Sequence, residues 1–165
     1  MQTIDFYFDI QRCESSNLYD YSTGEIPFVS STKLNNGVVK YVSLLDESEL
    51  IKTVPCIVVN TFGFATVQTK PFIGGGNGGG YINPLIPKQA MSMIELAYYA
   101  GQINLQSWRF SYGRRAIKRR LIALKLKKFD KHVFNENILL DLKKNMMLQI
   151  NHFIDDFSHI ALLSK

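Results

Sequence analysis

Residues 106–128 carry the densest positive charge in the chain, and we call them the basic segment. The segment contains nine of the nineteen lysines and arginines and not one aspartate or glutamate. Cations packed this closely repel one another unless an anionic partner lies beside them, and a polyphosphate is the obvious partner. A lysine- and arginine-rich surface can also be simply solvated, so the charge alone leaves that interpretation open.

Two kinds of residue share the basic segment. In its first half, aromatic and polar residues alternate as in a strand with one buried face: Trp108, Arg109, Phe110, Ser111 and Tyr112. Five cations follow across a glycine: Arg114, Arg115, Lys118, Arg119 and Arg120. Large aromatic residues belong more often to a core than to a stacking surface, so we expect the first half to anchor the cationic half.

The loop at residues 30–37 offers a second set of polar groups. It joins two apolar runs, 26–29 and 38–42, and ends in Asn-Asn-Gly, which favours a turn because these residues accept positive φ. We therefore predict a strand, a loop and a second strand. Small polar side chains can approach a base edge or a phosphate closely, and the candidates in this loop are Ser30, Ser31, Thr32, Lys33, Asn35 and Asn36.

A third polar stretch follows the apolar run 56–59, which we predict to be a strand buried on both faces. The sequence Asn-Thr-Phe-Gly at 60–63 predicts a tight corner before a partner strand at 65–68, and it adds Thr61 to the candidate contacts. A glycine-rich loop follows at residues 74–80, which include six glycines. A phosphate-binding P-loop needs Gly-Lys-Ser/Thr opening a helix, and Tyr-Ile-Asn-Pro follows instead, so we expect a flexible loop.

The remaining periodicity predicts both strands and helices. Residues 3–10 alternate like a half-buried strand, and residues 81–86 predict another. We expect a helix at 89–102, with a buried stripe formed by Ile94, Ala97, Tyr98 and Gly101. The longest helical pattern covers 135–164, roughly 40 Å of helix at the usual rise per residue. Its stripe is wide enough to pack on the domain, on a partner helix, or on both.

The sequence does not show the residue patterns that are typical of catalytic sites. The histidines and carboxylates form no nucleophile-activating arrangement, and no carboxylates cluster beside the cations. The Ser-x-x-Lys match at 30–33 lies in a loop without its companion motifs. Cys13 and Cys56 lack Cys-x-x-Cys spacing, which argues against a zinc site and a disulfide framework. We expect a non-catalytic chain with no cofactor and no metal.

Composition bounds the class of protein. With 165 residues, 46% of them apolar, and a net charge of +5, the chain can bury a core and favours an anionic partner. Eight of the fourteen acids lie in the first fifty residues, far in sequence from the basic segment. No signal peptide opens the chain and no apolar run approaches a membrane span, so we expect a cytoplasmic protein with no membrane partner.

Short motifs along residues 3–128 occur in the order typical of one protein family. Gly-Glu-Ile-Pro-Phe-Val-Ser-Ser at 24–31, followed by Asn-Asn-Gly-Val at 35–38, resembles the family's opening. Ile-Val-Val-Asn-Thr-Phe-Gly at 57–63 resembles its second strand and turn. The family is the target recognition domain of type I restriction–modification specificity subunits and of related fused restriction–methylation enzymes.

The resemblance continues to the end of the basic segment's first half. Gln-Thr-Lys-Pro-Phe at 68–72 is similar to the family's Pro-Phe segment, and the helix expected at 93–103 follows in its usual place. Phe-Ser-Tyr-Gly-Arg at 110–114 resembles the closing motif Tyr-Ser-Tyr-Gly-Arg. Each motif is weak alone, and the shared order is what makes the resemblance specific.

The resemblance implies an α+β fold and a function in DNA recognition. We expect a globular target recognition domain with a curved, mixed β-sheet at 1–131, followed by a long C-terminal helix at 132–165. Such a domain reads one half of a bipartite double-stranded DNA target through the major groove. It does no chemistry itself and positions partner DNA methyltransferase and restriction subunits. Carried over to this chain, the loop 30–36, the turn 60–62 and the segment 109–120 face DNA.

Two features depart from the family's pattern. A full specificity subunit has two such domains separated by two long helices, whereas this sequence has a single copy and one terminal helix. It therefore resembles either a half-subunit that forms a homodimer through residues 135–164 or one domain of a larger polypeptide. The glycine-rich loop at 74–80 is also longer than the family would suggest.

The candidate DNA contacts divide by task, because phosphate contacts supply affinity while base-edge contacts supply sequence choice. Arg114 and Arg115 could each hold guanine O6 and N7 bidentately, and an ion pair within the fold is the alternative for Arg114. The candidates for phosphate contact are Arg119, Arg120, Lys125, Lys127 and Lys128. If about six cations neutralise phosphates, log K falls with log salt with a slope near −5. The other candidate contacts in the basic segment are Arg109, Ser111, Tyr112 and Lys118.

Two other classes of function fit the same sequence. One is a protein-interaction or assembly module that dimerises through the apolar helix at 135–164. The other is a nonspecific binder of RNA or single-stranded nucleic acid, which the cations and aromatic residues of the basic segment would also suit.

Overall fold

A computed structural model describes residues 1–13, 15, 17–75, 82–131, 144 and 147. The chain divides into two compact units, Met1–Phe129 and Asp130–Lys165. The first unit is a mixed α+β domain. In the second unit, Lys144 and Met147 are helical. The rest of the helix predicted at 135–164 lies outside the described residues.

The first unit contains short strands and helices joined by turns. Its strands are β1 Gln2–Thr3, β2 Phe8–Ile10, β3 Thr23–Val29, β4 Val38–Val42, β5 Leu50–Ile51, β6 Cys56–Val59, β7 Ala65–Gln68, β8 Phe72–Gly74, β9 Asn83–Pro87 and β10 Lys125–Leu126. Its α-helices are α1 Ile4–Tyr7, α2 Met93–Asn104 and α3 Lys118–Leu121. Single 3-10 turns occur at Leu18–Asp20, Asn35–Gly37, Glu47–Glu49 and Ser107–Arg109.

The first sheet has the strand order β2-β9-β6-β7, and its neighbouring strands are antiparallel. All four residues of β6 are buried, which confirms the predicted two-sided burial of this strand. A continuous apolar run suits such a position because both of its faces are covered by other parts of the protein. The predicted corner after β6 and the predicted partner strand are also present, the latter as β7.

The second sheet has the order β4-β3-β8-β5, with a parallel pairing between β3 and β8. The antiparallel pair β3–β4 confirms the predicted strand, loop and strand. A hydrophobic cluster joins the two sheets, because it contains Val29 and Phe72 of the second sheet and Cys56, Val58 and Ile86 of the first. A further cluster buries Tyr21, Phe28, Val42 and Ile73.

Helix α2 begins with a capping box, in which Ser92 and Glu95 satisfy each other's backbone N–H groups. At its other end, the Asn104 side chain accepts from the Ala65 N–H at 2.6 Å and donates to the Ala65 carbonyl at 3.0 Å. The helix is therefore fastened to the outer strand of the first sheet. Its buried face consists of Leu96, Tyr99, Ala100 and Ile103 rather than the predicted stripe, in which Ala97 and Gly101 are exposed.

The N-terminal stretch differs from the strand predicted at 3–10. The turn of helix α1 interrupts it, so β1 pairs with β10 while β2 pairs with β9. The turn also breaks the alternation: Phe6 is 61% exposed, whereas Tyr7 is buried. Among the described residues, no helix has the length and apolar character needed to cross a membrane.

Candidate nucleic-acid interface

The loop between β3 and β4 has a fixed backbone. Asn35, Asn36 and Gly37 have φ values of 46°, 53° and 85°, a left-handed run that asparagine and glycine tolerate best. The Ser30 N–H donates to the Gly37 carbonyl at 2.9 Å and closes the loop. The predicted turn at Asn-Asn-Gly is therefore confirmed, with all three residues at positive φ.

The loop is tied to strand β7 by two hydrogen bonds at one residue. The Asn36 amide donates to the Val67 carbonyl at 2.8 Å, and the Gln68 amide donates to the Asn36 carbonyl at 2.7 Å. The Asn35 amide donates to Val38 at 3.2 Å. Both asparagine side chains therefore have an N–H engaged within the fold, which favours a role in shaping the loop.

The corner after β6 is held by its own asparagine. The Asn60 side-chain oxygen accepts the N–H groups of Phe62 and Phe64, each at 3.0 Å, and the Gly63 N–H donates to the Asn60 carbonyl at 2.9 Å. Such an asparagine turn satisfies backbone donors locally. Lys33 of the preceding loop lies 5.3 Å from the centre of the Phe64 ring, so the loop rests against this corner.

Gly63 is required where the corner meets the basic segment. Its φ is 76°, and a Cβ at this position would overlap the ring of Phe110. Phe110 itself is 7% exposed. The aromatic ring therefore packs directly on a bare backbone, which fixes the point where the basic segment attaches to the sheet.

Thr61 joins three segments that are far apart in sequence. Its hydroxyl lies 2.9 Å from the hydroxyl of Ser31, and its carbonyl accepts the Ala116 N–H at 2.8 Å. The Asn83 amide then donates to the Ala116 carbonyl at 2.8 Å. The structure thus brings the loop at 30–37 and the corner at 60–63 together with the basic segment. Thr61 is only 5% exposed, so its position suits holding the segments rather than touching a ligand.

The basic segment does not form the predicted strand. Trp108 lies in the 3-10 turn Ser107–Arg109. Residues 111–114 form a tight hairpin, in which one bridge pair, Ser111 and Arg114, flanks a two-residue turn. In this hairpin the Ser111 N–H donates to the Arg114 carbonyl at 3.2 Å, and the Arg114 N–H donates to the Ser111 carbonyl at 3.0 Å. Tyr112 and Gly113 form the tip.

The aromatic residues of the segment separate accordingly. Phe110 is in the core as predicted, but Trp108 and Tyr112 are each 81% exposed, so their predicted burial is wrong. Strand alternation requires an extended backbone, and the turns on either side of Phe110 rotate its neighbours outward. Two large aromatic surfaces therefore face solvent among cations.

The cations of this region are held to different degrees. The guanidinium carbon of Arg115 lies 5.7 Å from the centre of the Tyr112 ring, while Arg120 donates to the Arg115 carbonyl at 2.9 Å and Arg109 to the Gln106 side chain at 3.3 Å. Three further cations are exposed: Arg114, Lys118 and Arg119. In the described part of the chain none of these three forms an ion pair with a carboxylate.

The later lysines of the basic segment lie in another setting. Gln102 of α2 both donates to the Lys127 carbonyl at 3.1 Å and accepts the Lys127 N–H at 2.7 Å, and Gln106 donates to the Lys125 carbonyl at 3.1 Å. Lys128 lines a pocket that Glu95 also lines. These cations therefore follow strand β10 and helix α2, not the corner at 60–63.

Sequence reasoning missed the residues that assemble the site. Asn83 is 7% exposed and bonds to both Val59 and Ala116, while Gln68 is 4% exposed and holds the loop. Each is a buried amide residue at the end of a strand: Asn83 begins β9 and Gln68 ends β7. Such a residue must find buried partners, and that is the one signal in the sequence that could have found it.

The described residues contain no group of three or more histidine, cysteine or acidic side chains that could hold a metal ion. Cys13 and Cys56 are free, and burial raises the pKa of both thiols to about 12. At neutral pH they are protonated and poor nucleophiles. No protein-family model, curated protein or solved structure matches the chain.

Proposed function

We propose that this chain binds double-stranded DNA sequence-specifically, as a target recognition domain of the kind found in restriction–modification specificity subunits. The observation that carries the proposal is the junction at Thr61. It unites the loop at 30–37, the corner at 60–63 and the basic segment, which hold three of the motifs that resemble the family. Separate motifs that meet at one surface are what a shared binding site requires.

The hairpin at 111–114 suits entry into a DNA groove. The major groove is wide enough to admit a two-stranded β-ribbon, and this turn, closed by a single bridge between Ser111 and Arg114, is shorter than such a ribbon. Arg114 stands at its base and is exposed. In this arrangement Arg114 and Arg115 reach base edges, while Lys33, Lys118 and Arg119 contact phosphates on either side.

The finer features of the assembly belong to the same proposal. The two sheets would act as the curved support of the domain, and residues 135–164 would form a long helix that packs on a partner chain or a second copy. A methyltransferase and an endonuclease on partner chains, or elsewhere in a larger polypeptide, would supply the chemistry. The chain itself would then need neither cofactor nor metal.

Replacement of both hairpin arginines tests the proposal. A target is first selected from randomised duplexes with the unaltered protein. The variant Arg114→Ala/Arg115→Ala should then bind target and scrambled duplex alike, since each bidentate arginine contributes about 1–3 kcal/mol of discrimination. The matched control Lys127→Ala/Lys128→Ala removes the same charge and should keep the preference. An unchanged preference in the arginine variant, with its circular dichroism intact, would contradict this assignment.

A second candidate function is binding of single-stranded nucleic acid. The exposed Trp108 and Tyr112 favour it, because aromatic rings among cations form stacking platforms for unpaired bases. Competition between duplex and single strand at one salt concentration separates the two functions. The protein should bind duplex more tightly than single strand if it reads a DNA groove. It should bind single strand more tightly if the rings of Trp108 and Tyr112 stack on unpaired bases.

A further inference from the structure

Leu34 is the one residue of the loop at 30–36 for which sequence reasoning named no DNA contact. It is 78% exposed. Its backbone is nonetheless held on both sides, because the Leu34 N–H donates to the Thr32 hydroxyl at 3.1 Å and the Leu34 carbonyl accepts the Gly37 N–H at 2.9 Å. The loop therefore presents a large apolar side chain to solvent from a fixed position.

Polar side chains of the same loop are engaged within the fold. The Ser31 hydroxyl bonds to that of Thr61, and the Thr32 hydroxyl accepts the Leu34 N–H. Both asparagine amides of the loop donate to backbone carbonyls. Each of these bonds directs a polar group toward the protein. Leu34 is thus the large apolar side chain that the loop presents outward.

The surroundings of Leu34 suit an anionic partner. No aspartate or glutamate occurs at 26–45 or at 50–94, so the loop at 30–37 and the corner at 60–63 lack acids, as the basic segment does. Thr61 joins the loop and the corner to Ala116 of that segment. The three segments united at Thr61 therefore carry no carboxylate of their own that would repel DNA. An exposed leucine among them calls for an anionic partner that also offers an apolar group.

The major groove of DNA offers one such group. Guanine, adenine and cytosine present hydrogen-bond donors and acceptors there, whereas thymine adds a C5-methyl group. A leucine side chain has no polar atom, so covering a donor or acceptor with it leaves that group unpaired and costs free energy. Against a thymine methyl group the same side chain buries apolar surface on both partners, which is favourable.

We propose that Leu34 contacts the C5-methyl group of a thymine in the recognised half-site and so contributes to the choice of base. The inference rests on the proposed function and adds an apolar, specificity-determining contact to the arginine contacts of the hairpin. The recognised sequence should therefore contain a thymine whose methyl group strengthens binding.

Deoxyuridine tests this contact, because it pairs as thymidine does and lacks only the methyl group. A target is selected from randomised duplexes with the unaltered protein, and each of its thymidines is then replaced in turn by deoxyuridine. Fluorescence anisotropy should show that one replacement weakens binding about fourfold, the factor expected for burial of one methyl-sized group. Leu34→Ala should bind the two duplexes equally, whereas Leu34→Met should keep the difference.

The matched control is Leu45→Ala. Leu45 is also an exposed leucine, at 53%, but it directly precedes the acids at 46, 47 and 49. Its replacement should change neither the affinity for the selected target nor the effect of deoxyuridine. Circular dichroism should show that all three leucine variants keep the fold, since neither leucine is buried.

Failure of this inference is distinguishable from failure of the proposed function. If the unaltered protein binds no duplex, both fail. If Arg114→Ala/Arg115→Ala loses a sequence preference but the target has no thymine, or no deoxyuridine replacement weakens binding, only the thymine contact fails. It also fails if Leu34→Ala weakens both duplexes by one factor, which would place the side chain against the sugar–phosphate backbone. Unchanged affinity and an unchanged methyl effect in Leu34→Ala would remove this residue from the DNA surface.

Discussion

Two cationic regions of this chain look alike in sequence and differ in structure. Residues 109–120 attach to the corner at 60–63 through Phe110 and Ala116, and they present a hairpin with exposed side chains. Residues 125–128 follow strand β10, whose partner is β1, and two glutamines near the end of α2 bond to their backbone. The first region is joined to the loop at 30–37 through Thr61, which bonds to both Ser31 and Ala116.

The difference shows that charge density does not locate an interface by itself. In the first region no carboxylate among the described residues pairs with Arg114, Lys118 or Arg119. In the second, Lys128 shares a pocket with Glu95, whose charge opposes an anionic ligand there. We therefore assign the proposed DNA contacts to residues 109–120 and a structural role to the backbone of residues 125–128.

The largest expected effect comes from breaking the attachment of the first region. Gly63→Ala places a Cβ in the Phe110 ring at a left-handed backbone position and should cost about 2–4 kcal/mol of the free energy of unfolding. The melting temperature should fall by about 10 °C. Differential scanning calorimetry measures both quantities.

Gly113 is the matched control for this substitution. No atom lies within 4 Å of a Cβ built there, so Gly113→Ala should cost less than about 0.5 kcal/mol. Equal losses of stability for the two alanine variants would show that Phe110 is not the anchor of the hairpin.

A smaller effect should separate the two regions by their response to salt. Arg119→Ala should lower the slope of log K against log salt by about 0.9, because one phosphate contact is lost, whereas Lys127→Ala should leave the slope unchanged. Anisotropy titrations with one duplex at several salt concentrations measure both slopes. If the lysine variant changed the slope as much as the arginine variant, the two regions would share the DNA surface.

The smallest effect concerns the hydrogen bonds that position each region. Thr61→Val removes the hydroxyl bonded to Ser31 and should lower the free energy of unfolding by about 1 kcal/mol. Gln102→Leu removes two bonds to Lys127 and should lower the free energy of unfolding by a similar amount. Urea unfolding measures both losses. DNA affinity should fall only for the threonine variant. A loss of affinity in both variants would point to general destabilisation.

Local patterns predicted the parts of the fold that depend on neighbouring residues. The run Asn35-Asn36-Gly37 predicted a turn, since each of these residues accepts positive φ, and the structure has all three there. The apolar run of β6 predicted burial on both faces. The corner at 60–63 followed from Asn60, whose side-chain oxygen bonds within four residues, and from Gly63, whose φ of 76° suits glycine.

The prediction that Trp108, Phe110 and Tyr112 share one buried face was wrong for Trp108 and Tyr112, because it required one extended strand. A 3-10 turn before Phe110 and a hairpin after it change the direction of successive side chains, and neither has a strong local signal. The stripe predicted on α2 failed for a related reason. The face of a helix that becomes buried depends on where Asn104 meets β7, which is a contact across 39 residues.

The sequence by itself determined the charge of the basic segment, its lack of acids, and the turn chemistry of the two loops before it. Only the tertiary structure decided which of these features meet. The bonds of Thr61 to Ser31 and Ala116, and of Asn83 to Ala116, cross tens of residues and depend on how β6 pairs with β7 and β9. Composition and spacing describe what a segment can bind, and long-range packing determines which segments form one surface, because strand pairing joins residues that no local pattern relates.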